Sequence, residues 1–174
     1  MKSYFEHESD RLYYRRLTQE HIQPWEAFFV NNQRLHFLGM DGSKSNAEYS
    51  KEWIERQEER YATTGLGMLG VFKKESDELI GFCGIIDRDF LNQKVYEIGY
   101  SFMENHWGKG YASEAAIHFK KVGIDLGISK LYVSMIHPDN HDSMKVAERN
   151  GMKPLMESVY NDMPVIIYGD ENAI

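Results

Sequence analysis

Two spacings of apolar residues alternate along the chain and mark out its elements. RLYYRRL, residues 11 to 17, reads as a first strand, and Thr18 stands where an N-cap opens a helix. That helix carries Trp25, Phe28 and Phe29 at i, i+3 and i+4, so the three aromatics share one face, the spacing of core packing rather than of a ligand cage. Residues 31 to 45, NNQRLHFLGMDGSKS, lose any periodicity and hold two glycines and two asparagines, which predicts a variable loop able to form part of a binding site. Ser45 followed by Glu48 is a capping box that starts a helix running to about residue 62. Its Glu48, Glu52, Glu55 and Glu59 line one side, either as a solvated face supported by Lys51, Arg56 and Arg60 or as a wall attracting cations.

Three β-rich segments follow, at 65 to 74, 79 to 88 and 96 to 103, separated by KESD and DFLNQK turns, and they read as an antiparallel meander. Helical spacing returns over 112 to 127, a strand over 130 to 136, a second helix over 140 to 151 with Gly151 as its C-cap, and a closing strand over 165 to 169. The strand, helix, strand order of residues 96 to 136 requires a right-handed crossover and lays two strands parallel. The expected class is therefore α+β, a mixed and mostly antiparallel sheet flanked by helices, within one domain spanning residues 1 to 174.

Composition narrows the function classes. With 42% hydrophobic and 27% charged residues the chain is expected to build a packed core. Cys83 is the only cysteine, which rules out an internal disulfide and a Cys-rich zinc site and fits a reducing compartment. The opening MKSYFEHESDR has no apolar h-region and no stretch reaches the length of a membrane span, so a cytoplasmic location is expected. A formal charge of −7 disfavours nucleic acid as a partner and suits a basic one, although acidity for solubility accounts for the same sign. His137, Asp139 and His141 alternate as metal ligands do, but Pro138 and the helix start break their common face, so no metal is expected; His106 reads as a solvated neighbour.

The stretch NHWGKGYASEA, residues 105 to 115, carries the chemistry. Gly108 and Gly110 let the chain wind tightly at a helix mouth, where unpaired N–H groups and the helix dipole favour an anion such as a phosphate, while Ala112 keeps the first turn small. Lys109 adds charge to a site its backbone dominates. A P-loop needs wider glycine spacing and a following Lys-Ser or Lys-Thr; a dinucleotide fingerprint needs a third small residue and an acid ending the next strand. Both fit poorly. WGKGYA instead resembles the W-x-x-G-x-A form of the motif of the GNAT superfamily of acyl-CoA N-acyltransferases. EIGYSFMENHWGKGYASEA with HPDNHDSMKVAERNGM is similar to its RimJ/RimL-type branch, most strongly from Glu97 to Met152. Arg149, Asn150 and Met152 depart from the usual Lys, apolar residue and Phe.

That resemblance implies the GNAT fold and direct transfer of an acetyl group from acetyl-CoA to a primary amine, with both substrates bound together. It places the coenzyme on Trp107, Gly108, Lys109, Gly110, Tyr111, Ala112 and Ser113 for its diphosphate, and on Ser101, Phe102, Met103 and Asn140 for its pantetheine arm. A strand bulge at 101 to 103 is implied to free the Phe102 and Met103 N–H groups for the oxyanion. An alkyl ammonium must lose a proton before it attacks a thioester, and Glu97 matches the family's glutamate base, though a surface carboxylate at a strand start reads the same way. Ala147 occupies the position of the family's usual acid, a Tyr, and Ser143 matches the serine used in its place, while a Ser in a first helical turn is also a common structural choice. The implied acceptors are a basic peptide N-terminus, a polyamine or another small amine, and the state a monomer or a homodimer paired beside the strand 165 to 169. A non-catalytic acyl-CoA-binding regulatory domain is the alternative, and a dinucleotide-binding domain the more remote one.

Overall fold

Ser45 caps a helix as its spacing predicts: its Oγ accepts from Glu48 N–H while Glu48 Oε2 accepts from Ser45 N–H. The helix, α2, runs Asn46–Thr63. The structure, a computed structural model, describes residues 3–174. Strands β1 (Glu6–Glu8), β2 (Leu12–Arg15), β3 (Gly67–Lys73), β4 (Leu79–Phe90), β5 (Gln93–Phe102), β6 (Val133–Ile136), β7 (Lys153–Tyr160) and β8 (Met163–Gly169) form one sheet in the order β1-β2-β3-β4-β5-β6-β8-β7. Helices α1 (Ile22–Trp25), α2, α3 (Tyr111–Asp125) and α4 (His141–Arg149) flank it. β5 and β6, joined through α3, are parallel and every other pair is antiparallel, as the crossover requires.

Both sheet faces are covered, which is why β4 is buried from Leu79 through Ile86. Phe82 stacks on Trp25 at 3.9 Å between ring centroids and lies 5.8 Å from Trp53 of α2, while three positions on, Ile85 meets α3 at Gly123. The aromatic face expected of Trp25, Phe28 and Phe29 exists, but the helix carrying it is composite. Residues 19–21 and 26–29 are 3-10 turns on either side of a four-residue α1. Pro24 within that short helix removes one N–H from its ladder.

Two further expectations are corrected. The closing strand was expected to leave its edge open for pairing; β8 instead lies inside the sheet, and the edge is β7, which the sequence left unassigned. β7 has no fully buried position, so its hydrophobic pattern is weak. Its signal is the Asn161-Asp162 turn, both residues at positive φ, the counterpart of Leu91-Asn92 between β4 and β5. The second correction concerns β5, which pairs with β4 in unbroken register from Phe102 to Gln93; no bulge interrupts that pairing at residues 101 to 103.

α4 ends as its glycine predicts. Gly151, at φ +78°, donates to Glu148 O and Met152 to Ala147 O, the paired bonds of a Schellman motif. Asn150, unusual at its position, is buried and donates its Nδ2 to Ala116 O at 3.3 Å, tying α4 to α3.

Candidate active site

The site opens where two parallel strands part. β5 and β6 share the single register Glu97↔Val133, and Ser134 Oγ–H donates to Ile98 O at 2.8 Å; beyond that point β5 continues to Phe102 without pairing to β6. Met103 N–H donates to Ile80 O at 3.0 Å, so it is not a free donor, contrary to expectation. Alternation along an antiparallel strand then directs the Phe102 N–H the other way, into the gap. Trp107 Nε1–H donates to Phe102 O at 2.6 Å and ties the gap to the glycine loop.

α3 starts beside this gap with Gly110 as its N-cap at φ +81°, and no side chain caps it. Glu114 N–H to Gly110 O is the first helical bond, which leaves the N–H groups of Tyr111, Ala112 and Ser113 without an intrahelical acceptor. The positive φ favours glycine, and the open helix start is a cradle for an anion. Arg11 fixes it from β2's approach: its Nη1 donates to Lys109 O at 3.0 Å and its Nε to Glu114 Oε2 at 2.7 Å. Lys109 Nζ turns away to Asn105 O. A cavity of about 340 Å³ lies over this start, lined by Ser101, Phe102, Trp107, Gly108, Gly110, Tyr111, Ala112, Ser113, Asn140 and Ser143. Met103 and Lys109 do not line it. Arg34, Lys145 and Arg149 do, and sequence reading missed them as site residues; Lys145 and Arg149 are one turn apart on α4, which was the available signal. His106, expected to be solvated, is buried and bonded to Glu78 at 3.1 Å.

A second cavity of about 540 Å³ lies beyond the gap, between α2, the loop before it and the β7–β8 turn, and meets the first at Phe37, Leu38, Tyr100, Ser101, Asn140 and Ser143. The loop 31 to 45 thus contributes to both cavities. Glu97 lines the second one, with its Oε2 2.7 Å from Arg88 Nε across the β4–β5 pair. Ser143 Oγ–H donates to Tyr100 Oη at 3.1 Å, and Tyr100 Oη–H to Ser143 O at 2.9 Å. Burial pushes the Tyr100 phenol well up, the more so near Cys83 and Glu97, so it is a proton holder rather than a phenolate. Asn140 caps α4 by accepting from Ser143 N–H at 3.3 Å. The arrangement can hold an anionic chain in one cavity, a nucleophile in the other, and bring them together at Tyr100 and Ser143.

Comparison with known proteins agrees with this geometry. Residues 11–153 match the model of the acetyltransferase (GNAT) domain. The chain is 34% identical over 121 residues to the uncharacterized protein YkkB of Bacillus subtilis (strain 168), covering 67% of this chain and 66% of that one, just under two thirds of its length. An acetyltransferase from Agrobacterium tumefaciens str. C58 superposes with a TM-score of 0.80 at 24% identity, covering 98% of this chain and 96% of that chain. RimL, a ribosomal alpha-N-protein acetyltransferase solved in complex with coenzyme A, superposes with a TM-score of 0.74 at 20% identity, covering 93% and 94%. At those identities the two structures establish the fold.

Proposed function

The chain belongs to the GNAT acetyltransferase family, and from that premise we propose that it transfers an acetyl group from acetyl-CoA to a primary amine held in the second cavity. The observation that carries this reading is the uncapped start of α3 opening into a cleft that meets a second cavity at the β5–β6 split. The donor set fits the coenzyme: the N–H groups of residues 111 to 113 suit a diphosphate, and Arg149 adds positive charge along the same wall, with Arg34 and Lys145 sharing the one carboxylate of Asp142. The free Phe102 N–H and the Asn140 amide suit the amide groups of the pantetheine arm. RimL's complex with coenzyme A supports the same donor here.

In the transfer an N–C bond forms, the C–S bond breaks, and one proton passes from the amine toward the leaving sulfur. Glu97 faces the amine's side with Oε2 held by Arg88, so Oε1 takes the proton, directly or through water. Ser143, hydrogen-bonded to a phenol kept protonated, supplies the proton at the junction of the cavities. Acceptors within this reading are peptide N-termini and small amines, and a RimJ/RimL-like role is consistent with the fold.

The test is coenzyme binding. Gly110→Glu forces a side chain into a positive-φ position, 3.4 Å from Arg11 Nη2 at its Cβ, and sets a negative charge at the anion cradle. Calorimetric titration is expected to show binding to the parent chain and none to a folded Gly110→Glu variant. Unchanged affinity refutes the loop assignment, and binding without thiol release for any amine refutes transfer.

A further inference from the structure

The wall of the second cavity is unevenly charged. Lys44, Arg56, Arg60 and Arg88 line it, against Asp41, Glu52 and Glu97. Each carboxylate is already engaged. Glu52 is held by Lys44 Nζ at 2.7 Å, Glu97 by Arg88 Nε at 2.7 Å, and Asp41 Oδ1 accepts from Ser43 N–H and Tyr49 Oη–H. Arg56 and Arg60 are left over. Among the described residues neither has a carboxylate within ion-pair distance, and Arg60 makes only a 3.3 Å bond from Nη1 to Gln57 Oε1.

These two guanidinium groups stand four residues apart on α2 and line one cavity. Like charges at that spacing repel, and Arg60 is half-buried as well. Its burial, and then the nearness of Arg88 and Arg56, disfavour its charge, and Glu97, already held by Arg88, offsets them only in part. Trp53 of the same wall keeps a buried Nε1–H with no partner among the described residues. Arg56 and Arg60, expected to support the solvated glutamate row, instead line the cavity without a paired carboxylate among the described residues, while Lys51 takes Glu55 on the outside. Partial removal of the Arg60 guanidinium from water with no paired carboxylate is unfavourable, and an anion arriving between it and the exposed Arg56 would lower that penalty.

We propose that the acceptor is an amine that carries its own carboxylate, with Arg56 and Arg60 binding the carboxylate and so placing the amine toward Glu97 and the Tyr100–Ser143 junction. This rests on the transfer reading above and replaces the polyamine that the net charge of −7 favours. The local field at the site is set by the residues lining it, and a low-dielectric cavity amplifies their sign over that of distant surface carboxylates.

The probes are two matched pairs, δ-aminovalerate with δ-aminovaleramide and β-alanine with β-alaninamide, together with cadaverine, each followed by thiol release from acetyl-CoA. In at least one pair the carboxylate is expected to exceed its amide by about ten-fold or more in kcat/KM, the gain of one charge-assisted contact. Arg60→Gln and Arg56→Gln should each erode that ratio through KM while coenzyme affinity stays constant. Equal use of acid and amide, a preference for cadaverine, or a ratio unchanged in both variants overturns the proposal. If no amine releases thiol, the transfer reading fails and equilibrium binding of the same probes decides: carboxylate-selective binding lost in Arg60→Gln sustains the anion site, and its absence overturns it.

Discussion

Ser143 and Tyr100 meet where the two cavities join, one from the first turn of α4 and one from β5, and each bonds the other. A serine hydroxyl by itself is a weak acid, but a partner phenol that burial keeps protonated gives it a route for replacing the proton it donates. Ser143→Ala is expected to lower kcat by about ten-fold or more with KM nearly unchanged, because the interaction matters as charge leaves on sulfur. Steady-state kinetics in which only KM moved would assign Ser143 to binding. Glu97 and Ser143 could be named from the sequence, since each stands at a motif position. Arg88 as the partner of Glu97 could not, because it arrives across a hairpin whose register depends on the Leu91-Asn92 turn.

At the scale of elements, α3 must approach the sheet closely enough for its start to overhang the β5–β6 gap. Gly123 permits that approach: a Cβ there would collide with the Tyr132 hydroxyl and stand 2.7 Å from Ile85 Cδ1. On helix propensity alone Gly123→Ala stabilises by up to about 1 kcal/mol, whereas overpacking at such a contact costs about 1–3 kcal/mol. The variant is therefore expected to unfold at lower denaturant concentration, and an increase in the midpoint would show that α3 has room to move. α2 illustrates how much an element reveals by itself. Its capping box and its end near residue 62 were legible, since both depend on neighbours within one turn. The direction faced by Arg56 and Arg60 was not, because that depends on where α2 lies over the sheet.

Across the whole molecule, β1 is held to α3 by His7 and His118, whose Nδ1 and Nε2 lie 2.8 Å apart beside Tyr14. Burial, and then the neighbouring His7, lower His118 from 6.5 to about 4, and burial lowers His7. The unfolded chain takes up these protons first, so stability is complete above about pH 6.5 and falls as pH drops toward 4. Thermal midpoints should decline across that window, and His118→Gln should flatten the decline. Parallel profiles for parent and variant would show that the loss belongs to other groups.

What lies close along the chain was fixed by the chain itself: the meander, the crossover that sets β5 beside β6, the capping box of α2, the glycine start of α3 and the coenzyme chemistry it suggests. Those features follow from φ preference, side-chain period and N–H groups with no acceptor, all of which act within a few residues. Tertiary packing alone decided that β8 is an interior strand, that Met103 spends its N–H on Ile80, and that an acidic protein turns two unpaired arginines into its second cavity. Those outcomes depend on which distant groups compete for the same donor or the same space, and one strand or helix read by itself does not contain its competitors.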